Sequence, residues 1–229
     1  MCGIIGYLGK GVAQESLIDG LKRLEYRGYD SAGVAFHEGI EFSMARETGR
    51  VKNLAALVQK KSSSSSLGIA HTRWATHGAV TVSNTHPHSS HDGKFVMVHN
   101  GVIENFGTLK KFLIGKGIEF YSETDSEVLC NLIAYHYSEL SESNDRFIDA
   151  VRLALPQCRG AYGIAVLCLD YPDTMIGARR GSPLVVGLGD DANFIASDAS
   201  AFVGRAKEAV FLNDGELAIL HGSEFRITT

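Results

Sequence analysis

The residue with the clearest chemical potential in this sequence stands at its second position. Removal of the initiator Met1, which is usual before a small residue, would leave Cys2 with a thiol and a free α-amine on one carbon. The thiolate is the attacking form of cysteine, and an α-amine with a reference pKa of about 7.7–8.0 is substantially unprotonated near neutral pH. These two groups can act as nucleophile and base without a histidine. The alternative is that Met-Cys-Gly is an ordinary chain start. The choice between a catalytic cysteine and an ordinary start therefore depends on the other residues of the sequence.

Three further positions place polar groups at the ends of predicted elements. Arg73 stands where a strand runs out into a loop, which argues against an ordinary surface arginine. Asn100 and Gly101 follow another predicted strand; a side-chain amide beside a backbone N–H can stabilise a developing oxyanion, although Asn-Gly is also a common turn. Asp125 stands at a helix start, where Thr124 or Asp125 would ordinarily serve as the cap.

Histidines are concentrated between positions 71 and 99, and they raise the alternative of a metal site. The six are His71, His77, His86, His88, His91 and His99. Imidazole is a frequent transition-metal ligand, but this spacing matches no standard zinc pattern and no cysteine lies nearby. We therefore expect no metal and no cofactor, and we expect these side chains to form hydrogen bonds within a functional loop.

The elements that must position these residues follow from hydrophobic periodicity. Helical spacing predicts helices at 13–25, 51–60, 104–115, 126–139 and 145–155. Short apolar or alternating runs predict strands at 2–8, 32–36, 40–46, 67–72, 95–99, 161–169, 174–179, 184–188, 193–196, 209–212 and 216–220, and a further alternating pattern begins at 224. The polar stretch 73–94 has no periodicity, and the serine run 62–66 is predicted to be an exposed loop. Strands at both ends of the chain with helices between them indicate an α+β fold with more than one sheet.

Composition restricts the class of protein. The 229 residues are 45% hydrophobic and 21% charged, which is typical of a globular chain, and the net charge of −4 makes nucleic acid an unexpected partner. No apolar run approaches the ~20 residues needed to cross a bilayer, so we expect no membrane association and a cytoplasmic location. Structural disulfides are not expected, because the cysteines other than Cys2 stand among apolar neighbours at positions 130, 158 and 168.

Five ordered motifs carry a resemblance to a known family. They occupy residues 2–7, 23–33, 71–78, 99–105 and 123–127, and shorter matches follow at 159–163 and 181–185. Together they resemble the glutaminase domain of glucosamine-6-phosphate synthase, also called glutamine–fructose-6-phosphate aminotransferase (isomerizing). This is a class II glutamine amidotransferase with an N-terminal nucleophile, and the resemblance spans essentially residues 2–229.

The resemblance implies a role for each candidate residue. Arg73 would bind the α-carboxylate of glutamine, and Asp125 would bind its ammonium in competition with a capping role. Trp74 would help to close the site, while Thr76 and His77 would contribute hydroxyl and backbone contacts to the ligand.

The same resemblance assigns the reacting groups. Cys2 would attack the side-chain amide of L-glutamine, and Asn100 with Gly101 would stabilise the oxyanion. Arg27 lies in a segment that lacks the Gly-x-x-x-x-Gly-Lys pattern of a phosphate loop, so we expect it to orient the N-terminal amine.

The implied fold is the four-layer αββα sandwich of N-terminal-nucleophile hydrolases. In the full-length enzyme a C-terminal sugar isomerase domain, absent from this sequence, would use the ammonia to convert fructose 6-phosphate to glucosamine 6-phosphate, and the enzyme would be a homo-oligomer. Two alternatives remain. One is the glutaminase domain of another class II amidotransferase, such as amidophosphoribosyltransferase, and the other is a non-catalytic ligand- or metal-binding module.

Overall fold

The computed structural model describes residues 2–61, 63–74 and 79–229, which contain thirteen β-strands and five α-helices. The strands are β1 Gly3–Gly9, β2 Ser31–His37, β3 Phe42–Thr48, β4 Leu67–Arg73, β5 His88–Ser89, β6 Phe95–Ile103, β7 Gly160–Cys168, β8 Thr174–Arg180, β9 Val185–Leu188, β10 Ala192–Ala196, β11 Glu208–Phe211, β12 Leu217–His221 and β13 Glu224–Thr228. The helices are α1 Ala13–Leu24, α2 Val51–Gln59, α3 Phe106–Ile114, α4 Asp125–Glu139 and α5 Arg146–Ala154.

The strands form two antiparallel sheets. The first sheet has the order β11-β9-β10-β1-β4-β2-β3, and the second has the order β13-β12-β8-β7-β6-β5. In the first sheet β1 lies between β4 and β10, with Ile5 opposite Ala70 on one side and Ala196 on the other. The start of the chain is therefore held in the interior of a sheet.

Alternation along the strands produces the four layers. In β1, Ile4 and Leu8 face the other sheet, whereas Ile5 and Tyr7 pack against the side that α1 and α2 cover. The second sheet likewise packs one face on the first sheet and the other on α3, α4 and α5. Because every inner strand buries both faces, both sheets need helices outside them. The predicted α+β sandwich is confirmed.

Most of the predicted elements are confirmed within a few residues. Helices 13–25, 51–60 and 126–139, for example, correspond to α1, α2 and α4. All four cysteines lie in the described part of the chain and none forms a disulfide; those at 130, 158 and 168 are buried as predicted. No helix among the described residues is long and apolar enough to span a membrane.

The stretch 73–94 differs from its prediction. It contains β5, in which His88 pairs with Met97 of β6, and the segment from Asn84 to His88 is buried. Its polar side chains are satisfied by specific partners, as when His88 Nε2 lies 3.0 Å from the Thr124 hydroxyl. A two-residue strand is too short to show alternation, and hydrogen bonds rather than apolar contacts compensate its burial.

The serine run is not fully exposed as predicted. Ser63 and Ser65 are buried, and the Ser65 hydroxyl lies 2.7 Å from the His37 carbonyl oxygen and 2.8 Å from that of Leu67. Ser62 lies outside the described residues. A serine hydroxyl can be buried where it replaces water as a partner of backbone groups, which composition alone does not reveal.

Candidate active site

Cys2 lies at the entrance to β1, beside the end of β4. Antiparallel pairing places Gly3 opposite Thr72, so that Cys2 meets the residues that follow Thr72. The Trp74 N–H donates to Cys2 Sγ at 3.2 Å, and the Trp74 carbonyl oxygen lies 3.6 Å from the same sulfur. The sheet register therefore brings together two segments that are 72 residues apart.

The Cys2 thiol is half-buried, and its protonation follows from that position. Burial raises its pKa above the ordinary value, against the opposing effects of the Trp74 N–H and the Arg73 charge. The sulfur is therefore a neutral thiol near neutral pH, and its reaction requires a base. Among the described residues, the hydrogen-bond partners of the sulfur are the two Trp74 backbone groups, neither of which is a base.

Asn100 approaches Cys2 from the opposite sheet. Its Nδ2 donates to the Cys2 carbonyl oxygen at 3.0 Å, and its Oδ1 lies 2.9 Å from His71 Nε2. The sequence predicts that Asn100 and Gly101 follow a strand, which is wrong: both lie within β6, opposite Gly163 and Tyr162 of β7. The side chain of a strand residue is held more rigidly than that of a turn residue, which suits a group that must be aimed at a ligand.

Gly101 is required by its backbone conformation. Its φ is +136°, and a Cβ at this position would lie 2.1 Å from the Ala161 carbonyl oxygen. Both the positive φ and the close approach of the neighbouring strand exclude larger residues.

Arg73 is the last residue of β4 and is buried. Its Nη1 donates to the Ala79 carbonyl oxygen at 3.2 Å. Burial lowers the pKa of its guanidinium, while the nearby acidic groups Cys2, Asp30 and Asp125 raise it. Since arginine titrates far above neutral pH, the side chain remains a cation placed among acidic groups.

Asp125 is the first residue of α4, and the cap is Thr124. The Glu127 N–H donates to Thr124 Oγ1 at 3.2 Å, so capping does not use the Asp125 carboxylate. That carboxylate accepts a hydrogen bond from the Ile103 N–H at 2.7 Å, which fixes it at the end of β6, two residues beyond Gly101. Its negative charge is stabilised at the positive end of the α4 dipole.

Trp74 is partly exposed beside the cysteine. Its ring makes an edge contact with Tyr29, with 5.2 Å between ring centroids. Thr76 and His77, which the sequence predicts to contact the ligand, lie outside the described residues.

Arg27 has partners other than the one expected. Its Nη2 donates to Asp198 Oδ2 at 2.6 Å, and its Nε donates to the Tyr26 hydroxyl. Burial opposes ionisation of Asp198, but hydrogen bonds from Ser200 and Arg27 lower its pKa to about 2. The orientation of an N-terminal amine by Arg27 stays a prediction.

Comparison with known proteins identifies the family that this sequence resembles. Residues 58–145 match the family model described as a glutamine amidotransferase domain. The chain carries a glutamine amidotransferase domain. The domain is 46% identical over 220 residues to the glutamine--fructose-6-phosphate aminotransferase [isomerizing] of Caldanaerobacter subterraneus, with 96% of this chain and 35% of that protein covered. The protein of the same name from Bacteroides thetaiotaomicron is 48% identical over 229 residues, with 99% of this chain and 37% of that protein covered.

The amidotransferase domain spans about a third of the length of the curated relatives it matches. Among solved structures, it resembles the glutamine phosphoribosylpyrophosphate amidotransferase of Bacillus subtilis with a TM-score of 0.83 and 25% identity, covering 99% of this chain and 49% of that one. A glutamine aminotransferase class-II domain protein from Silicibacter pomeroyi shares the fold at 19% identity, with a TM-score of 0.64 and 98% of that chain covered.

Several residues around the site of the amidotransferase domain were not identified from the sequence. Asp30, whose charge acts on both Cys2 and Arg73, precedes the fully buried strand β2, and an acidic residue at that position is a detectable signal. Gly28 allows close packing, since a Cβ there would lie 2.8 Å from the Arg73 carbonyl carbon. Asp198 comes from a distant part of the chain, and no local pattern marks it.

Asn84 also emerges only from the structure of the amidotransferase domain. Its Nδ2 donates to Ala79 O at 3.2 Å and to Glu123 Oε2 at 3.3 Å, and its Oδ1 accepts from the Glu123 N–H at 3.0 Å. Through these hydrogen bonds, the buried amide connects the segment after Arg73 to the residues before α4.

Four of the described histidines, His71, His86, His88 and His99, form a buried cluster. No group of three or more His, Cys, Asp or Glu in the described ranges is arranged to hold a metal ion. The rings of His71 and His86 stack at 4.2 Å, and His88 contacts His86 edge-on at 4.6 Å. Burial lowers the pKa of all three imidazoles and of His99, to about 3 for His71, so they are neutral at pH 7.

A cavity of about 590 Å³ lies elsewhere, between α5 and the edge strand β13. It is lined by residues such as Phe147, Tyr171 and Phe225 and includes none of the candidate site residues. The chemical groups described above therefore belong to a separate site at the ends of β4 and β6.

Proposed function

We propose that this domain hydrolyses L-glutamine to glutamate and ammonia with Cys2 as the nucleophile. The observation that carries the proposal is the convergence on Cys2 of Asn100 from the opposite sheet and of the Arg73–Trp74 backbone. Nucleophile, amide donor and cation come from three separate strands or strand ends, and the register of both sheets fixes them relative to one another.

The flanking charges suit the two ends of an amino acid. The Arg73 guanidinium binds the α-carboxylate, since its planar N–H groups match a carboxylate in a bidentate arrangement. Asp125 binds the α-ammonium; its capping duty falls to Thr124, so its carboxylate can accept hydrogen bonds from a ligand. Trp74, Thr76 and His77 provide the remaining contacts.

The reaction proceeds through a thioester. Once Met1 has been removed, the α-amine of Cys2 takes the thiol proton and the sulfur attacks the side-chain amide carbon of glutamine. Asn100 Nδ2 and the Gly101 N–H stabilise the oxyanion of the tetrahedral intermediate. The proton passes from the α-ammonium to the leaving nitrogen, the C–N bond breaks and ammonia departs. Water then attacks the thioester, which releases glutamate and restores the thiol.

The environment of the sulfur supports the α-amine as the base. The raised pKa of the Cys2 thiol makes a base necessary, and in the described residues no carboxylate or imidazole forms a hydrogen bond to the sulfur. His71 is directed to Asn100 instead. We propose that Arg27, which Asp198 holds through a hydrogen bond, orients the amine.

In the whole protein, we propose that the ammonia is used for the amination of fructose 6-phosphate by a further domain. The curated relatives carry the name glutamine--fructose-6-phosphate aminotransferase and are about three times as long as this chain. Transfer to a phosphoribosyl substrate is the second candidate, favoured by the structural similarity to the Bacillus subtilis enzyme, but the identity is only 25% there against 43% or more for the sugar-phosphate enzymes.

Substitution of Cys2 tests the proposal. Cys2→Ala is expected to reduce glutamate release from glutamine at least about a thousandfold, because no other group can form the thioester. Cys158→Ala removes another buried thiol and is the matched control, with activity expected within threefold of the original chain. Circular dichroism checks folding, and intact mass determines whether Met1 has been removed. Glutamate release that persists in a folded Cys2→Ala protein would exclude Cys2 as nucleophile.

A further inference from the structure

A polar chain of three groups crosses between the two sheets beside the cysteine. His71 on β4 contacts Asn100 Oδ1 at 2.9 Å, and Asn100 Nδ2 on β6 donates to the Cys2 carbonyl oxygen at 3.0 Å. His71 and Asn100 are both buried, so water does not compete for these bonds. The imidazole therefore belongs to the same unit as the proposed oxyanion donor without touching the sulfur.

The Cys2 carbonyl fixes which way the Asn100 amide faces. A carbonyl oxygen can only accept, so the amide nitrogen must face it and Oδ1 must face His71. Oδ1 in turn can only accept, so His71 Nε2 must carry the proton. The orientation of the amide and the tautomer of the imidazole therefore depend on each other.

The imidazole is well suited to this single task. Burial lowers the pKa of His71 to about 3, so at neutral pH the ring holds one proton. The orientation of the Asn100 amide assigns that proton to Nε2. The ring is stacked on His86 at 4.2 Å with an interplanar angle of 18°, which restricts its rotation. A neutral donor held in this way adds no charge that would compete with the Arg73 cation for the substrate carboxylate.

The Asn100 amide has two N–H groups, and in the described structure one of them is engaged by the Cys2 carbonyl. The second N–H is the one available to an oxyanion formed at the substrate. If Oδ1 lost its donor, the amide could rotate, and the second N–H would no longer be held toward the reacting carbonyl.

We propose that His71 is a positioning residue that fixes the Asn100 amide so that its free N–H faces the oxyanion. This inference rests on the proposed glutaminase function. His71 acts through Asn100 and not on the sulfur, so its removal should affect the chemical step and leave substrate binding and thiol reactivity unchanged.

The first test compares two substitutions of equal polarity and different reach. Glutamine places its amide nitrogen close to the position of the imidazole Nε2, whereas asparagine is too short. We expect His71→Asn to lower kcat for glutamate release at least thirtyfold with KM for glutamine within threefold. His71→Gln should recover kcat to within fivefold of the original chain. Equal kcat values for the two variants, or a loss seen only in KM, would overturn the inference.

Two further readouts separate positioning from general damage. Alkylation of Cys2 by iodoacetamide forms no oxyanion, so its rate, followed by mass spectrometry, should change less than twofold in His71→Asn. In an Asn100→Ala background, adding His71→Asn should lower kcat less than threefold further, because the group that it positions is already absent. Slower alkylation, or a full additional loss in the double variant, would contradict the proposal.

The controls distinguish this inference from the proposed function. His91 is an exposed histidine outside the site, and His91→Asn should leave kcat within twofold. If Cys2→Ala retained activity, the glutaminase mechanism itself would fail. If Cys2→Ala were inactive and His71→Asn fully active, only the role of His71 would be refuted.

Discussion

Acidification should destabilise this domain in a pH range where most proteins are stable, because the folded domain buries four neutral imidazoles. The cluster comprises His71, His86, His88 and His99, all with a pKa lowered by burial. In the unfolded chain these groups protonate near pH 6.5. The folded state keeps them neutral, so between pH 6.5 and the folded pKa values the unfolded state binds more protons. Stability is therefore complete above pH 6.5 and is lost as the pH falls.

The magnitude follows from the number of protons. For His71, with a folded pKa of about 3, the free energy of unfolding decreases by about 1.4 kcal/mol per pH unit, or about 2 kcal/mol between pH 6.5 and 5. The pKa values of His86, His88 and His99 are lowered in the same direction, so these groups add to the loss. Typical total stabilities are about 5–15 kcal/mol, so the loss from His71 alone is a measurable fraction of the total by pH 5. Asp198, with a pKa of about 2, loses its contribution only at lower pH.

Urea unfolding followed by circular dichroism at pH 7.5, 6.5, 5.5 and 5.0 measures this dependence directly. We expect an uptake of more than one proton on unfolding in the acidic part of the range. His88→Gln should reduce the uptake of protons, because burial lowers the pKa of this imidazole well below its usual range. An uptake below one proton between pH 6.5 and 5 would refute the neutral cluster.

Two further substitutions test the backbone packing and the hydrogen bonds next to the site. Gly101→Ala should lower the free energy of unfolding by at least about 2 kcal/mol in urea titrations, since its Cβ would meet Ala161 O at 2.1 Å; Gly117→Ala, at φ +83° with open space around it, is the control and should cost about 1 kcal/mol. A similar loss in both would assign the effect to φ alone. Glu127→Ala removes an acceptor of hydrogen bonds from the backbone and hydroxyl of Ser122, at 2.7 and 2.6 Å, and should destabilise by about 3 kcal/mol in the same assay; a change below 0.5 kcal/mol would show that water replaces the carboxylate.

The helices and most strands could be predicted because their signals are local. The stripe of Leu17, Leu21 and Leu24 in α1 repeats at helical spacing, and all three side chains are buried. The strand β5 could not be predicted, because its burial depends on partners such as Thr124 that lie 36 residues away. The sequence predicts that Asn100 and Gly101 follow a strand for a similar reason: an Asn-Gly pair favours a turn locally, and only the pairing of β6 with β7 keeps it extended.

The sequence by itself determined the chemical inventory of this protein: the cysteine at position 2, the arginine at 73, the amide at 100 and the carboxylate at 125, each in a recognisable motif. The pattern of strands and helices also indicated an α+β fold with more than one sheet, whereas the four-layer sandwich was implied by the family resemblance. Tertiary structure alone decided that Thr124 caps α4 in place of Asp125, that Arg27 binds Asp198, and that His71 faces Asn100. Hydrophobic periodicity is a property of neighbouring residues, whereas the partner of a polar side chain depends on which distant segments the packing of the two sheets brings within 3 Å of it.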